Sequence, residues 1–324
     1  MAKAPEETGV TVSVVIPTFN NARLIEETLA TVYAQTLAPE EIVVIDDGST
    51  DETAAVLRKH TGRVRYIREE PSGGCSKPRN VGIRESRGRY VAMFDSDDLM
   101  APAKLEKQVG FLERHPEVDL VFTDFVDFEG DREEPPHTQS CPRFREALRR
   151  CRVEADGYII PQAQAYALLL DENYIGGSAM IFRRSLIESI GGYDERYEYS
   201  EDRELTLRVT RTRSVGFLDL IGHRRRIHPG SASARTETVL ACKIHLYREE
   251  RRRVPRAHRK IVRERLAELY LALAWYRRER GRSREAIAPY LRAIALRPGR
   301  LRWYGSLGRC LYCALKRGRP AAER

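Results

Sequence analysis

The chain has 324 residues, 42% of them hydrophobic and 32% charged, which describes a soluble globular protein with room for one large domain and a smaller appendage. No apolar run approaches the roughly 20 residues that span a bilayer, and the opening MAKAPEETGVT lacks an apolar h-region, so neither a membrane span nor secretion is expected. The net charge of +9 is unevenly held: residues 241–324 carry 24 Lys and Arg against 7 Asp and Glu, leaving 32 basic and 40 acidic residues in the rest. Two regions of opposite sign imply two jobs, with the basic tail suited to an anionic surface, either lipid headgroups or nucleic acid.

The β-branched run from Val10 to Pro17 predicts a buried strand, with Thr18-Phe19-Asn20-Asn21 as the loop at its C-terminal end. Leu24, Ile25, Thr28, Leu29, Val32 and Tyr33 then recur at helical spacing. Glu41 to Ile45 predicts a second buried strand, ending in Asp46-Asp47-Gly48-Ser49-Thr50-Asp51, where Gly48 permits a tight turn and Ser49, Thr50 or Asp51 caps a helix from Glu52 to His60. Val64 to Ile67 is a third strand. Strands alternating with helices build a parallel α/β sheet, whose ligands lie beyond the strands' carboxyl ends. Between the strands, Pro71 to Asn80 forms a glycine-containing loop in which backbone N–H groups, Lys77 and Arg79 suit phosphate, although a GG before a basic residue is by itself more often only a turn.

Tyr90 to Met100, YVAMFDSDDLM, is the most informative stretch. Its apolar half predicts a central strand, and Asp95, Asp97 and Asp98 follow at once. Side chains two apart in an extended segment share a face, so Asp95 and Asp97 would stand together, and close like charges call for a cation. A hard divalent ion, Mn2+ or Mg2+, with substrate phosphate among its ligands is the simplest candidate; a solvated turn is the alternative.

Taken together, VSVVIPTFNN (12–21), EIVVIDDGSTDET (41–53), the segment 73–82 and YVAMFDSDDLMAPAKLEKQV (90–109) resemble glycosyltransferase family 2. The resemblance continues through IGGSAMIFRRSLIESIGGYDERY (175–197), SEDRELTLRV (200–209) and RIHPGSAS (226–233), and covers about residues 10–235. It implies the GT-A nucleotide-diphospho-sugar fold, an α/β fold with a mostly parallel sheet flanked by helices, and inverting sugar transfer. Residue by residue, Pro17 and Phe19 would sit against the nucleotide base and Asp47 would accept a hydrogen bond from it. Arg79 would meet the diphosphate or the donor-site carboxylates, with Lys77 beside it. Asp95 and Asp97 would form the D-x-D element, Asp97 binding the metal and Asp95 the ribose or the metal's surroundings. Asp202 would be the base, His228 would assist the metal or diphosphate, and Gly177 and Glu201 would lie toward the acceptor. An inverting transfer needs these parts: a carboxylate to take the acceptor's proton and a cation for the departing diphosphate. On residues alone, Asp202 also reads as an acid opening a helix.

Phe128 to Ile160, rich in Glu, Arg and Pro with a helical portion around Phe144 to Val153, fits the pattern least and is expected to be an acceptor loop or lid. The six cysteines, Cys75, Cys141, Cys151, Cys242, Cys310 and Cys313, show no metal-ligand spacing and read as reduced thiols of a cytoplasmic protein.

From Thr236 the period is helical and arginine-rich. Tyr270, Leu273, Ala274, Gly281, Ala286, Tyr290, Ala293 and Pro298 resemble a tetratricopeptide repeat, and Tyr304, Leu307 and Gly308 follow 34 residues after Tyr270, Leu273 and Ala274. The expected organisation is therefore a tail (1–9), a GT-A domain (10–235) and a basic TPR-like helical extension (236–324). Leu301 to Arg319 mixes aromatic and basic residues like a helix lying on an anionic membrane, with a solvated capping helix as the alternative. The expected donor is a nucleotide-diphospho-sugar, UDP-linked, and the acceptor a glycan or lipid-linked sugar of cell-surface polysaccharide or lipopolysaccharide assembly. Location is cytoplasmic, peripheral on the membrane. A nucleotidyltransferase is disfavoured because Thr18 to Asn21 occupies the place of a Gly-rich phosphate loop. No nucleic-acid motif is present. The remaining alternative is a non-catalytic nucleotide-sugar-binding or scaffold protein acting through its basic tail or a protein partner.

Overall fold

The computed structural model describes residues 11–154, 157–231 and 236–316. They form two compact units that divide after Ser231. The expected tail 1–9 and the expected boundary at 235 lie outside the described residues.

In the first unit, strand β1 (Val12–Thr18) is buried on both faces, as a β-branched run in a covered sheet must be. It is followed by α1 (Ile25–Tyr33), β2 (Glu41–Asp46), α2 (Thr53–Arg58), β3 (Arg65–Arg68), α3 (Ser76–Glu85) and β4 (Tyr90–Met93). The spatial order β3-β2-β1-β4 is wholly parallel. Because β2 and β4 flank β1 on opposite sides, the chain leaves β1 and returns across it, and this reversal opens a crevice at the C-terminal ends of β1 and β4.

The remaining elements are β5 (Leu99–Met100), α4 (Lys104–Arg114), β6 (Leu120–Glu129), β7 (Arg132–Glu133), α5 (Pro142–Leu148), β8 (Arg152–Glu154), β9 (Gly157–Ile160), α6 (Gln162–Leu169), β10 (Met180–Arg183), α7 (Arg184–Ser189), α8 (Glu201–Thr210) and β11 (Val215–Arg226). They extend the sheet as β4-β10-β6-β11-β9-β8 and make it mixed, since β10 runs antiparallel to both β4 and β6. Val14, Ile16, Val44, Tyr90, Phe94, Phe111 and Leu218 belong to one apolar core cluster.

The stretch 128–160 differs from the expected loop. The helix stops at Leu148, and β8 pairs with β9 through Arg152↔Ile159 and Val153↔Tyr158, so the hairpin adds to the sheet beside β11.

The second unit holds α9 (Thr236–Arg253), α10 (Arg259–Glu279), α11 (Ser283–Leu296) and α12 (Leu301–Lys316). Ala274, Ala286, Tyr290 and Cys310 form its core, where small side chains let the helices approach. Gly281, at φ 73°, ends α10 in the left-handed conformation that only glycine adopts without cost. Glu237 on α9 receives hydrogen bonds from Arg277 and Arg282 on either side of that turn. No helix among the described residues is long and apolar enough to cross a membrane.

Candidate active site

The crevice is built from loops that follow β1, β2 and β4. After β1, Asn20 takes a left-handed conformation (φ 48°), and its Oδ1 accepts the Thr50 N–H at 2.7 Å. Asn21 Nδ2 donates to the Ser96 carbonyl at 2.7 Å, tying the first loop to the acidic one. Pro17 is enclosed within β1, whereas Phe19 is 48% exposed, an apolar ring held open at the mouth.

The two acids after β2 separate in role. Asp46 is fully buried and accepts from Ser49 N, Tyr66 Oη and Arg68 Nη1, so it serves as a structural anchor. Asp47 turns the other way: its Oδ1 accepts from Ser72 N at 2.9 Å and Ser72 Oγ at 2.8 Å, which fixes the glycine loop and leaves Oδ2 without a protein hydrogen bond among the described residues. Glycine is required at the next position, because Gly48 has φ 78° and a Cβ there would also stand 2.5 Å from Pro71 Cγ.

Arg79 joins the parts that the sequence keeps far apart. Its side chain is 3% exposed; Nη2 lies 2.6 Å from Asp95 Oδ1, and Nη1 contacts Glu201 Oε1. A buried guanidinium between two carboxylates stays charged, and these partners hold its pKa well above the ordinary value despite burial. Burial pushes Glu201 up to about 7 although Arg79 opposes this. Tyr193 lies under Arg79 with its ring centroid 5.4 Å from the guanidinium, and its buried hydroxyl has no hydrogen-bond partner among the described residues. Burial raises the Tyr193 hydroxyl's pKa and pushes the Cys75 thiol up to about 12, so both are neutral. Lys77 does not join this cluster; it pairs with Glu69 at 3.5 Å.

The three acids after β4 part company as well. Asp97 Oδ2 is 2.9 Å from His228 Nε2, brought from the residues after β11. Burial, then the nearby Asp95 charge, raises the Asp97 pKa, with His228 opposing. Asp98 points inward, accepting from Ser178 Oγ at 2.7 Å and the Arg226 backbone N–H at 3.1 Å. Burial first, and then Asp95 and Asp97, raise its carboxyl well above the usual range, and its hydrogen bonds brace the loop after β4 against Ser178 and the end of β11. Asp202 is half-buried in the first turn of α8 beside Glu201. The preceding Ser200 is left-handed at φ 67°, a strained conformation of the kind kept at working sites. Gly177 lies against the Arg79–Asp95 pair: a Cβ there would meet Arg79 Nη2 at 3.2 Å and Asp95 Oδ2 at 3.7 Å.

Asp97 and His228 offer the carboxylate and imidazole that Mn2+ accepts, with Asp95 alongside. No cluster of three His, Cys, Asp or Glu side chains suited to a metal occurs among the described residues. The pair therefore fits an ion that takes its remaining ligands from diphosphate and water, the usual manner for Mg2+ and related ions. Tyr193 and Arg226 were not singled out from the sequence as parts of this site; Asp98 stood out there as the third acid after β4, and Ser178 lay within the motif 175–197 as architecture. Tyr193 carried a hint, directly after the double glycine Gly191-Gly192 within a recognised motif.

Residues 13–191 match the family described as Glycosyl transferase family 2. An uncharacterized glycosyltransferase of Rickettsia prowazekii is 28% identical over 71% of this chain and 67% of its own length. Among solved structures, Staphylococcus aureus TarS 1–349 in complex with UDP-GlcNAc matches with TM-score 0.62 and 22% identity, over 88% of this chain and 81% of that one. The mannosyltransferase PcManGT of Pyrobaculum calidifontis, in complex with GDP-Man and Mn2+, matches with TM-score 0.55 and 20% identity, over 94% and 84%. The last two likenesses are of fold, and that shared fold is GT-A. With more than half its length matched by the family and its strand-end acids gathered in one crevice, the chain belongs to glycosyl transferase family 2.

Proposed function

We propose that this glycosyltransferase moves a sugar, with inversion, from a UDP-linked donor to a hydroxyl of a glycan or lipid-linked acceptor. The observation that carries the proposal is the Arg79 bridge, because it joins Asp95 of the D-x-D loop to Glu201 at the start of α8. Asp202 follows Glu201 in the first turn of α8, and that adjacency supports it as the base that takes the acceptor's proton. Phe19 offers a face to the nucleotide base and Asp47 Oδ2 a hydrogen-bond acceptor. Pro17 shapes the floor beneath them, and Lys77 lends positive charge at the edge of the phosphate side. Asp97 and His228 would hold Mn2+ or Mg2+; when bound, such an ion neutralises charge on the leaving diphosphate. Arg79 keeps Asp95 oriented toward the ribose side, and Gly177 leaves room above the pair for the sugar and acceptor. The UDP preference is supported by the UDP-GlcNAc complex of TarS, while the GDP-Man complex of PcManGT makes a guanine donor the competing case.

In the second unit, Tyr270, Leu273, Ala274, Ala286, Tyr290 and Ala293 are buried, which supports the TPR-like assignment. Leu301, Tyr304, Leu311, Tyr312 and Leu315 are exposed along α12. That pattern supports a peripheral site on an anionic cytoplasmic membrane, where lipid-linked acceptors of polysaccharide or lipopolysaccharide assembly would be met.

The test is release of nucleoside diphosphate from UDP-, GDP- and dTDP-sugars with Mn2+ or Mg2+ and with chelator, alongside donor binding by thermal shift. Wild type releases UDP only with metal, and Asp202→Asn retains donor binding but loses transfer. If no donor is bound by folded protein with metal present, the transferase proposal fails.

A further inference from the structure

Both tryptophans of the chain lie on one groove of the second unit. The groove holds about 390 Å³ between α10 and α12, and Trp275, Arg278, Arg302, Trp303 and Arg309 line it. Trp275 is 56% exposed, far more than an indole contributing only to packing would be. The guanidinium groups of Arg302 and Arg309 have no ion-pair partner among the described residues. Arg278 pairs with Glu279 at 2.8 Å. The one acid in the lining, Glu268, is already engaged by Arg265 at 2.8 Å and Arg297 at 3.6 Å. The groove is thus a positive cleft with one exposed indole, Trp275, and one half-buried, Trp303.

We propose that this groove binds an anionic glycan chain, its sugar rings against Trp275 and Trp303 and its acidic groups on Arg302 and Arg309. As the identity of the acceptor, this rests on the transferase proposal above; as binding, it stands on the groove alone. An indole presents a flat apolar face that matches the C–H face of a sugar ring, and an arginine fork matches a carboxylate or phosphate. The lining contains no Asn or Gln. Apart from its arginines the lining offers few polar side chains, Glu268, Tyr290 and Ser306, so stacking on indole and pairing with acidic groups are its main means of holding a ligand, and a glycan that carries acidic groups uses both.

Because both tryptophans line the groove, intrinsic fluorescence reports on it directly. Full-length protein is titrated with oligogalacturonate, which supplies carboxylates, and with phosphomannan oligosaccharide, which supplies phosphates. Neutral mannan oligosaccharide, inorganic polyphosphate, poly-glutamate and phosphatidylglycerol vesicles are run in parallel. The expected result is that one anionic glycan shifts the tryptophan emission and binds at least about tenfold more tightly than mannan, polyphosphate or poly-glutamate, while vesicles, which meet the apolar face of α12, bind wild type and the arginine variants alike. By calorimetry, Trp275→Ala and the pair Arg302→Gln/Arg309→Gln each weaken that binding about tenfold, with melting temperature and UDP-sugar binding unchanged. The exposure of Trp275 makes its truncation tolerable, and Trp303→Phe serves as the second aromatic variant. The proposal is overturned if neither anionic glycan binds, if mannan, polyphosphate or poly-glutamate binds as tightly, if the arginine variants lose vesicle binding along with glycan binding, or if the variants bind glycan as wild type. Donor binding without glycan binding defeats this proposal alone. Glycan binding without donor binding defeats the transferase proposal and leaves the groove.

Discussion

His228 and Asp97 stand 2.9 Å apart, imidazole Nε2 to carboxylate Oδ2, across 131 residues of sequence. The contact pins the segment after β11 onto the loop after β4, and it sets an imidazole nitrogen and a carboxylate oxygen side by side as ligands. Removing the imidazole by His228→Ala is expected to weaken Mn2+ binding at least about tenfold in the presence of UDP. Calorimetric or electron-spin titration measures it, and unchanged Mn2+ affinity in the variant would remove His228 from the metal site.

Arg79 is the keystone of the cluster, and its loss should register in stability before activity is considered. Arg79→Met strands Glu201 in a buried setting and frees Asp95 beside it. Breaking such a pair costs about 3–5 kcal/mol. The Lys77–Glu69 pair is partly exposed at 38% and 31%, so Lys77→Met should cost less than about 1 kcal/mol. Urea unfolding of both variants decides the matter; equal midpoints would mean that Arg79 does not organise the crevice.

Much of this arrangement was legible in the sequence, and the part that was not has a physical cause. Runs such as VSVVIP and EIVVI announce covered strands because nearly every position in them is apolar, and the strand-end acids stand out against that background. Local pattern does not tell Asp46 from Asp47, or Asp98 from Asp97. Asp46 is spent on Tyr66 and Arg68, and Asp98 on Ser178 and Arg226, partners up to 128 residues away. Likewise Lys77, apt for phosphate by type, is drawn to Glu69 at the end of β3. The β8–β9 hairpin escaped notice because Arg152, Val153 and Glu154 are exposed or half-exposed and carry no apolar alternation; their pairing with β9 defines them.

Lys104 gives stability a pH dependence whose sign is fixed by burial. Its ammonium is fully enclosed, has no hydrogen-bond partner, and sits 5.9 Å from the centre of the Phe94 ring. Burial lowers its pKa from 10.5 to about 7. Between those values the unfolded chain holds a proton that the folded chain has released, so this lysine's contribution to stability rises with pH by about 1.4 kcal/mol per unit. Below about 7 both states are protonated and the buried charge is a standing cost. Lys104→Met should abolish that slope and be more stable than wild type near pH 7. Urea midpoints followed from about pH 7 to about pH 9 test this; parallel curves for the two proteins would show that Lys104 is not titrating in the core.

Gly177 separates geometry at the site from stability of the fold. It lacks a left-handed backbone, so alanine is conformationally acceptable there and should cost less than about 1 kcal/mol. The added methyl would nevertheless stand 3.2 Å from Arg79 Nη2 and 3.7 Å from Asp95 Oδ2, in the space above the ion pair. Pushing the guanidinium aside displaces Asp95 and narrows the room for the donor sugar. Small misplacements of this kind cost roughly tenfold to a hundredfold in kcat/KM. Gly176 provides the control, since a Cβ there meets Phe125 Cε1 at 3.0 Å, in packing rather than in the crevice. Gly177→Ala should therefore melt near wild type but turn over poorly, while Gly176→Ala loses stability first. Transfer rates and melting temperatures of the two variants distinguish them. Wild-type turnover by Gly177→Ala would mean that donor and acceptor do not pass over the Arg79–Asp95 pair.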